Sequence, residues 1–329
     1  MDVLSEVLAA VRFSGGVFLD AEFTAPWCVL SQVGPAEFDA RQGGMPAHLI
    51  AYHYVIDGRL LIRVEERPPL PVQAGEIVLL PRNDAHVLGS AADLRPVVID
   101  DRVQAPGKRT PAVLRYGGGG EPTHIICGYL GSDTPDNLLL KALPPLLKLR
   151  VRDGAGGAWM ETSFRHAAEE FAVGSSGSAA VLGRLAELLF VEGVRRYVAA
   201  LPEGQNSWLA GLRDRLVGRA LALLHGSVVH PWTTKELARE VGLSRSAFAE
   251  RFTNMIGVPP MRYLANWRLQ LAAVRLRESA AATAQIAADV GYESDAAFNR
   301  AFKRAFGTTP AAWRNVGRGT HRETDVEEA

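Results

Sequence analysis

Two clusters of side chains in the last third of the chain have the chemistry to read a base pair. Arg245, Ser246, Ala249 and Glu250 make the first; Asp295, Ala296, Asn299 and Arg300 make the second. An arginine donates two parallel hydrogen bonds to guanine, an asparagine pairs with adenine, and a carboxylate such as Glu250 accepts from cytosine N4. An alanine meets a thymine methyl or nothing. Arg251, Arg268, Lys303 and Arg304 are cations suited to phosphate, a contact that positions without specifying. Glu250 has a second use, as the ion-pair partner of a neighbouring arginine.

The elements that must carry these clusters are written twice. Leu237, Ala238, Val241 and Gly242 recur 49 positions later as Ile286, Ala287, Val290 and Gly291. After one extra residue, Phe248, Phe252, Gly257 and Pro260 recur as Phe298, Phe302, Gly307 and Pro310. A repeat of this kind means two copies of one supersecondary unit. Gly242 and Gly291 stand where a helix ends in the left-handed conformation that glycine adopts without strain. Ser244 and Ser294 follow as N-caps. Phe248 and Phe252, four apart, face the first helix of their unit. This is the pattern of a helix-turn-helix, whose second helix enters the major groove. Helical geometry then turns the two clusters outward.

Charge agrees. Residues 213–318 hold 16 Lys+Arg against 8 Asp+Glu, whereas the whole chain balances at 36 against 36. A basic domain beside an acidic remainder suits nucleic acid. Two cysteines among 329 residues exclude a disulfide scaffold and fit a reducing cytoplasm. The opening MDVLSEVLAAVRFSGG has no basic region followed by an apolar run, so no leader is expected, and no stretch reaches the ~18 apolar residues of a membrane span.

Residues 232–314 resemble the DNA-binding domain of the AraC/XylS family of bacterial transcription regulators. The runs WTTKELAREVGLSRSAFAERF, GVPPMRYLANWRLQLA and VGYESDAAFNRAFKRAFGTTPAAWR carry the resemblance. It implies two helix-turn-helix units joined by one long helix, double-stranded DNA as partner, RNA polymerase as a further partner, and no enzymatic activity. Met261–Ser279 reads as the joining helix, with Tyr263, Leu264, Trp267, Leu271, Val274 and Leu276 apolar and Pro259-Pro260 at its start. Ala249 and Ala296 depart from the family, which often has longer polar residues there.

From Gly16 to about Leu130 the periodicity is that of strands. HLIAYHYVIDG and RLLIRVEE flank Asp57-Gly58, a hairpin signal; EIVLLPRNDAHVLG reads as a second pair turning at Pro81–Asp84. From Asp136 to Leu201 the pattern is helical. The Leu-rich stretch 179–200 serves as core or as a homodimer seam. Gly204–Ser207 reads as the hinge. The expected division is a barrel over 1–135, a helical linker and dimerisation region over 136–205, the DNA-binding domain over 206–317, and a polar, disordered tail over 318–329. The fold class is α+β multidomain.

YHYVIDG, PVQAGEIVLLPRNDAHVL and HIICGYL resemble the cupin-type sensory domain found on some of these regulators. That resemblance implies a β-barrel sensing a small molecule, metal or oxidant. The paired-His-plus-Glu metal pattern of cupins is missing, and with it the case for a metal-dependent dioxygenase or isomerase. His53, His86 and Cys127 occupy matching points in three strand runs that such a barrel brings together, either as a thiolate–imidazole site that binds Zn²⁺ or answers oxidants, or as plain core. Two imidazoles and a thiolate suit Zn²⁺, and a cation nearby would lower the Cys127 pKa and make the thiol oxidisable. Cys28 would be the resolving thiol. His48 and His124 fall on the opposite strand face. A constitutive architectural DNA-bending protein is the other reading, disfavoured by the separate acidic domain.

Overall fold

A computed structural model describes residues 3–10, 13–34, 46, 48–98, 112–132, 138–154, 156–202 and 207–319. The chain forms two compact units. One holds Phe13–Asp133 with Leu143–Ala200; the other holds Met1–Arg12, Thr134–Ala142 and Leu201–Ala329.

Among the described residues the first unit is two sheets and two helices. Strands β1 (Ser14–Thr24), β3 (His48–Asp57), β6 (Glu76–Leu80), β8 (Ala112–Gly117), β9 (Pro122–Ser132) and β10 (Leu147–Arg150) make a six-stranded sheet ordered β10-β6-β3-β9-β1-β8. Strands β2 (Cys28–Ser31), β4 (Arg59–Val64), β5 (Leu70–Gln73) and β7 (His86–Gly89) make a four-stranded sheet ordered β2-β7-β4-β5. Each sheet has its own ladder among the described residues, so the expected barrel is an open jelly-roll-type sandwich. Strand β3 explains its own apolar run. Leu49, Ala51 and Val55 join Leu60, Ile62, Val64 and Leu88 in one core cluster, while Tyr52 and Tyr54 are buried on the other face. There Tyr54 packs 4.4 Å from Phe164 of α3 (Gly157–Ala172), ring to ring. A strand covered on both faces has no reason to alternate. Helix α4 (Ser178–Ala200) packs on β1 and α3.

Both hairpin expectations are overturned. Asp57-Gly58 does turn the chain, with Gly58 at φ +81°, but β3 pairs with β6 and β9 while β4 pairs with β5 and β7. Pro81–Asp84 likewise leads from β6 in one sheet to β7 in the other. A turn signal encodes reversal of the chain; which strand lies alongside is decided by non-local burial.

The second unit is helical. It contains α1 (Val3–Ala10), α2 (Leu138–Ala142), α5 (Trp208–Gly211), α6 (Arg215–Gly226), α7 (Thr234–Glu240), α8 (Arg245–Ile256), α9 (Pro260–Glu278), α10 (Thr283–Asp289), α11 (Asp295–Phe306) and α12 (Pro310–Gly319). The partition differs from the expected one: α1 packs on α6 and α9, α2 packs on α5, and α3 and α4 belong with the sheets. The expected hinge falls at 204–207, of which 204–206 lie outside the described residues, as does the tail from 320 onward. Helix α9 begins with Pro260 at its first turn. It buries Leu269, Ala272 and Ala273 in addition to Tyr263, Leu264, Trp267 and Leu276, whereas Leu271 and Val274 are only half-buried. A connector packed from more than one side has no single apolar stripe. Among the described residues no helix is long and apolar enough to cross a membrane.

Candidate functional site

Helices α7 and α8 form one helix-turn-helix, α10 and α11 the other. The turns are built as the repeat requires: Gly242 and Gly291 adopt φ +75° and +86°. Ser244 accepts from Ala247 N and Ser294 from Ala297 N, both at 3.3 Å. Phe248 and Phe252 are fully buried with ring centroids 5.6 Å apart, and Phe298 and Phe302 repeat this at 5.5 Å. Burying one face of each second helix leaves the other outside. Arg245, Ser246 and Glu250 are exposed on α8, with Ala249 half-buried. Asp295, Ala296, Asn299 and Arg300 are exposed on α11. The Asn299 amide donates back to Asp295 O at 2.8 Å, so it must release that bond before pairing with a base. Lys303 and Arg304 are exposed on the last turn of α11.

Two of the four phosphate candidates are already engaged. Arg251 donates to both oxygens of Asp214, at 2.5 and 3.4 Å, and Asp214 is also the N-cap of α6. Arg268 gives its guanidinium to backbone carbonyls: Nε to Val228 O at 2.8 Å, Nη1 to Gly291 O at 3.0 Å, Nη2 to His230 O at 2.9 Å and Val229 O at 3.4 Å. A cation spent on four carbonyls is an internal tie, so the expectation of a phosphate contact at Arg268 is corrected.

In the sandwich, His53, His86 and Cys127 do come together. His53 and Cys127 are register partners on β3 and β9; His86 begins β7 on the other sheet. His53 Nδ1 lies 3.0 Å from Cys127 Sγ, His53 Nε2 lies 2.7 Å from His86 Nε2, and His86 Nδ1 lies 2.9 Å from Asp84 O. The last contact orders the rest. A carbonyl only accepts, so His86 Nδ1 carries the proton and its Nε2 accepts from His53 Nε2. His53 Nδ1 then accepts from the Cys127 thiol. One proton order satisfies every contact with all three groups neutral. The pKa directions agree: burial, and then the neighbouring His86, hold His53 well below the usual imidazole range. Burial, opposed by the Asp84 carbonyl, lowers His86 to about 4. Burial, then Asp20, pushes the Cys127 thiol far above its usual range.

This geometry answers the zinc expectation. A zinc ion needs its ligands converging on one point, about 2.0–2.3 Å from each donor. His53 presents opposite ring nitrogens to its two partners, which makes a line and not a tripod. Among the described residues no group of three or more His, Cys, Asp or Glu is arranged to hold a metal ion. Burial holds the thiol protonated, so it is not an activated thiolate. Cys28, on the other sheet, donates to Leu94 O at 3.5 Å and is likewise a buried thiol raised by burial.

His48 and His124 lie off the line, as the strand faces require. His48 Nε2 meets Pro81 O at 2.7 Å; His124 Nε2 meets Asp20 Oδ1 at 2.6 Å, a pairing that raises its pKa. The loop that presents Asp84 O is latched by Asn83, a left-handed residue at φ +52°. Its amide donates to Val33 O at 2.7 Å and accepts from Val33 N at 3.1 Å.

Sequence reasoning missed the latching contact of Asn83 and a third buried histidine. His225 of α6 has Nε2 at 2.8 Å from the Tyr263 hydroxyl and Nδ1 at 3.2 Å from Glu6 of α1, under the Trp267 ring, and burial lowers it to about 4. No local pattern marks it. Thr233, which caps α7 by accepting from Glu236 N at 3.1 Å, did have a signal: the T-x-x-E spacing. On α4 the buried face holds Leu182, Leu185, Ala186, Leu189 and Phe190, while Val181 and Leu188, seven apart, are about half exposed at 49% each.

Comparison with known proteins fits both halves. Residues 2–199 match the family described as Cupin, and residues 237–315 that described as Helix-turn-helix domain. The chain is 30% identical over 317 residues to an AraC-like transcription regulator of Streptomyces antibioticus, covering 95% of this chain and 98% of that protein. It is 26% identical over 288 residues to the RCS-specific HTH-type transcriptional activator RclR of Escherichia coli (strain K12), covering 87% and 90%. Among solved structures, the DNA-binding domain of AdpA in complex with a target DNA is similar at 27% identity and a TM-score of 0.32, covering 33% of this chain and 96% of that one.

Proposed function

We propose, from the premise that this chain belongs to the AraC/XylS family of DNA-binding transcription regulators and carries a cupin-type N-terminal domain, that α8 and α11 read two successive major grooves. The observation that carries this is the pair of matched, Ser-capped helices that bury one aromatic face and expose the other, in a region with twice as many cations as anions. Arg245, Ser246, Ala249 and Glu250 face one groove; Asp295, Ala296, Asn299 and Arg300 face the next. Lys303 and Arg304 take phosphates. Regulation then requires access to RNA polymerase in the cytoplasm, and a second copy joined through the exposed Val181–Leu188 line of α4 would double the number of sites read. Full-length protein titrated with duplex DNA at increasing salt tests the core of this: neutralising several phosphates gives a steep fall of log affinity with log salt. A flat response refutes it.

For the sensing half, we infer that the Cys127–His53–His86 line is the responsive element and that its signal is an oxidant, one that reaches Cys127 only when the sheet unit opens, since burial keeps the thiol protonated and unreactive in the closed arrangement. Peroxide would convert the Cys127 S–H to S–O–H with release of water, which enlarges a side chain inside a buried core and shifts the donor away from its 3.0 Å contact with His53 Nδ1. Hypochlorite or peroxide should change the DNA affinity of the wild type and leave Cys127→Ser unmoved. Equal responses in both would assign sensing to another group or to an organic ligand.

A further inference from the structure

We propose that Arg268 is the positioning residue that holds the two helix-turn-helix units at one separation, and so decides which spacing of two DNA half-sites the protein accepts. The inference rests on the two-groove reading above. It adds a residue that touches no base and, in this arrangement, no phosphate.

The argument begins with the carbonyls. Val228, Val229 and His230 follow the end of α6 and lead into the first helix-turn-helix. Gly291 is the turn residue of the second, just past the end of α10. Turn carbonyls left without a backbone donor need another partner, and a buried cation supplies charge-assisted hydrogen bonds to them. Here one guanidinium gathers carbonyls from the turns that follow α6 and α10. Its planar fork of five N–H donors serves both segments together, which a point charge does not. Burial disfavours the charged form of Arg268, so its hydrogen bonds to these carbonyls are what keep it in place.

Other contacts hold the second unit to α9 without reaching the first: Trp313 Nε1 donates to Ala273 O at 3.1 Å and Arg275 to Asp289 O at 3.2 Å. Arg314 donates to Ala281 O at 2.5 Å in the segment between α9 and α10. Arg268 instead bridges from the middle of α9 to both sides. The two turn glycines record the difference. A Cβ built on Gly242 meets nothing within 4 Å, whereas one on Gly291 would lie 2.8 Å from the Arg268 guanidinium. The repeat is therefore asymmetric where the two units are tied.

Spacing is what such a tie controls. Inserting one base pair between half-sites rotates one against the other by about 35°. A rigid pair of units loses contacts at one half-site, while a loosened pair follows the rotation.

The test selects duplexes from a random pool with full-length wild type, then measures affinity for the selected duplex and for versions with one base pair inserted or removed between half-sites. Wild type should lose about ten-fold or more on each change, as for the loss of a base contact. Arg268→Ala should lose less than about three-fold, a flattened spacing profile. Arg268→Lys keeps the charge and the stem but not the fork, and should flatten the profile too; it serves if the alanine variant fails to fold. A variant that weakens all spacings equally, keeping the wild-type ratio, overturns the proposal. Wild type that selects no paired half-sites overturns the two-groove reading, and this inference with it.

Discussion

Acidification should weaken the sheet unit through the buried imidazoles. His86 has its pKa lowered from 6.5 to about 4, and it is 1% exposed, so solvent screening does not discount the effect. Above pH 6.5 the imidazole is neutral folded or unfolded, and stability is full. As pH falls below 6.5 the unfolded chain takes up a proton that the folded chain refuses, so stability is lost progressively down to about pH 4. At 1.36 kcal/mol per pKa unit the full loss is about 3 kcal/mol, and at pH 5 it is about 2 kcal/mol. His53 moves in the same direction and shares the same proton line, so its contribution is not simply added. His124, raised by Asp20, acts oppositely and gains as pH falls through its folded pKa. Both cysteines of the chain lie in this unit, so their exposure to a brief thiol-labelling pulse in urea reports its unfolding alone. With a urea slope of about 2 kcal/mol per molar, the midpoint should fall by about 1 M between pH 7.5 and pH 5. The double variant His53→Leu with His86→Leu should flatten this dependence. An equal fall in the double variant, or none in the wild type, would refute the assignment of the acid lability to this line.

Four substitutions extend the account to the helical unit. Arg300→Ala should reduce discrimination at one base pair by about 1–3 kcal/mol, measured as the affinity ratio between the selected duplex and its single mismatch. Lys303→Ala should weaken all duplexes alike and reduce the salt slope by about one; a change in base preference would contradict its role. Ser244→Ala removes the cap to Ala247 N and should cost about 1 kcal/mol in thermal or urea unfolding. Phe298→Ala empties the centre of a core of Ile286, Val290, Phe302 and Trp313 and should cost about 3–5 kcal/mol, in contrast to the surface changes.

What was legible in the sequence was local. A glycine at a helix end and a serine two or three residues on specify a turn and a cap within five residues, so both helix-turn-helix units could be placed without knowing what they packed against. The period-two pattern put His48 opposite His53 along β3 and His124 opposite Cys127 along β9; the register that pairs His53 with Cys127 came only from the fold. What was not legible was non-local. Asp57-Gly58 announces a turn, yet β3 and β4 belong to different sheets. The zinc expectation had the right residues but not the ring orientation, which is set by Asp84 O through His86. Arg268 carries the same charge whether it faces phosphate or carbonyl, and only the folded positions of Val228, His230 and Gly291 tell which. His225 and Glu6 are 219 positions apart, and nothing in either stretch marks the other.

The central claim is that two helices of one chain read two grooves. Methylation interference at guanine N7 on the selected duplex tests it most directly. The expected result is two major-groove patches about 10 base pairs apart, with the Arg300→Ala variant losing sensitivity in one patch and Arg245→Ala in the other. A single patch, or two patches that both persist in each variant, would contradict the account.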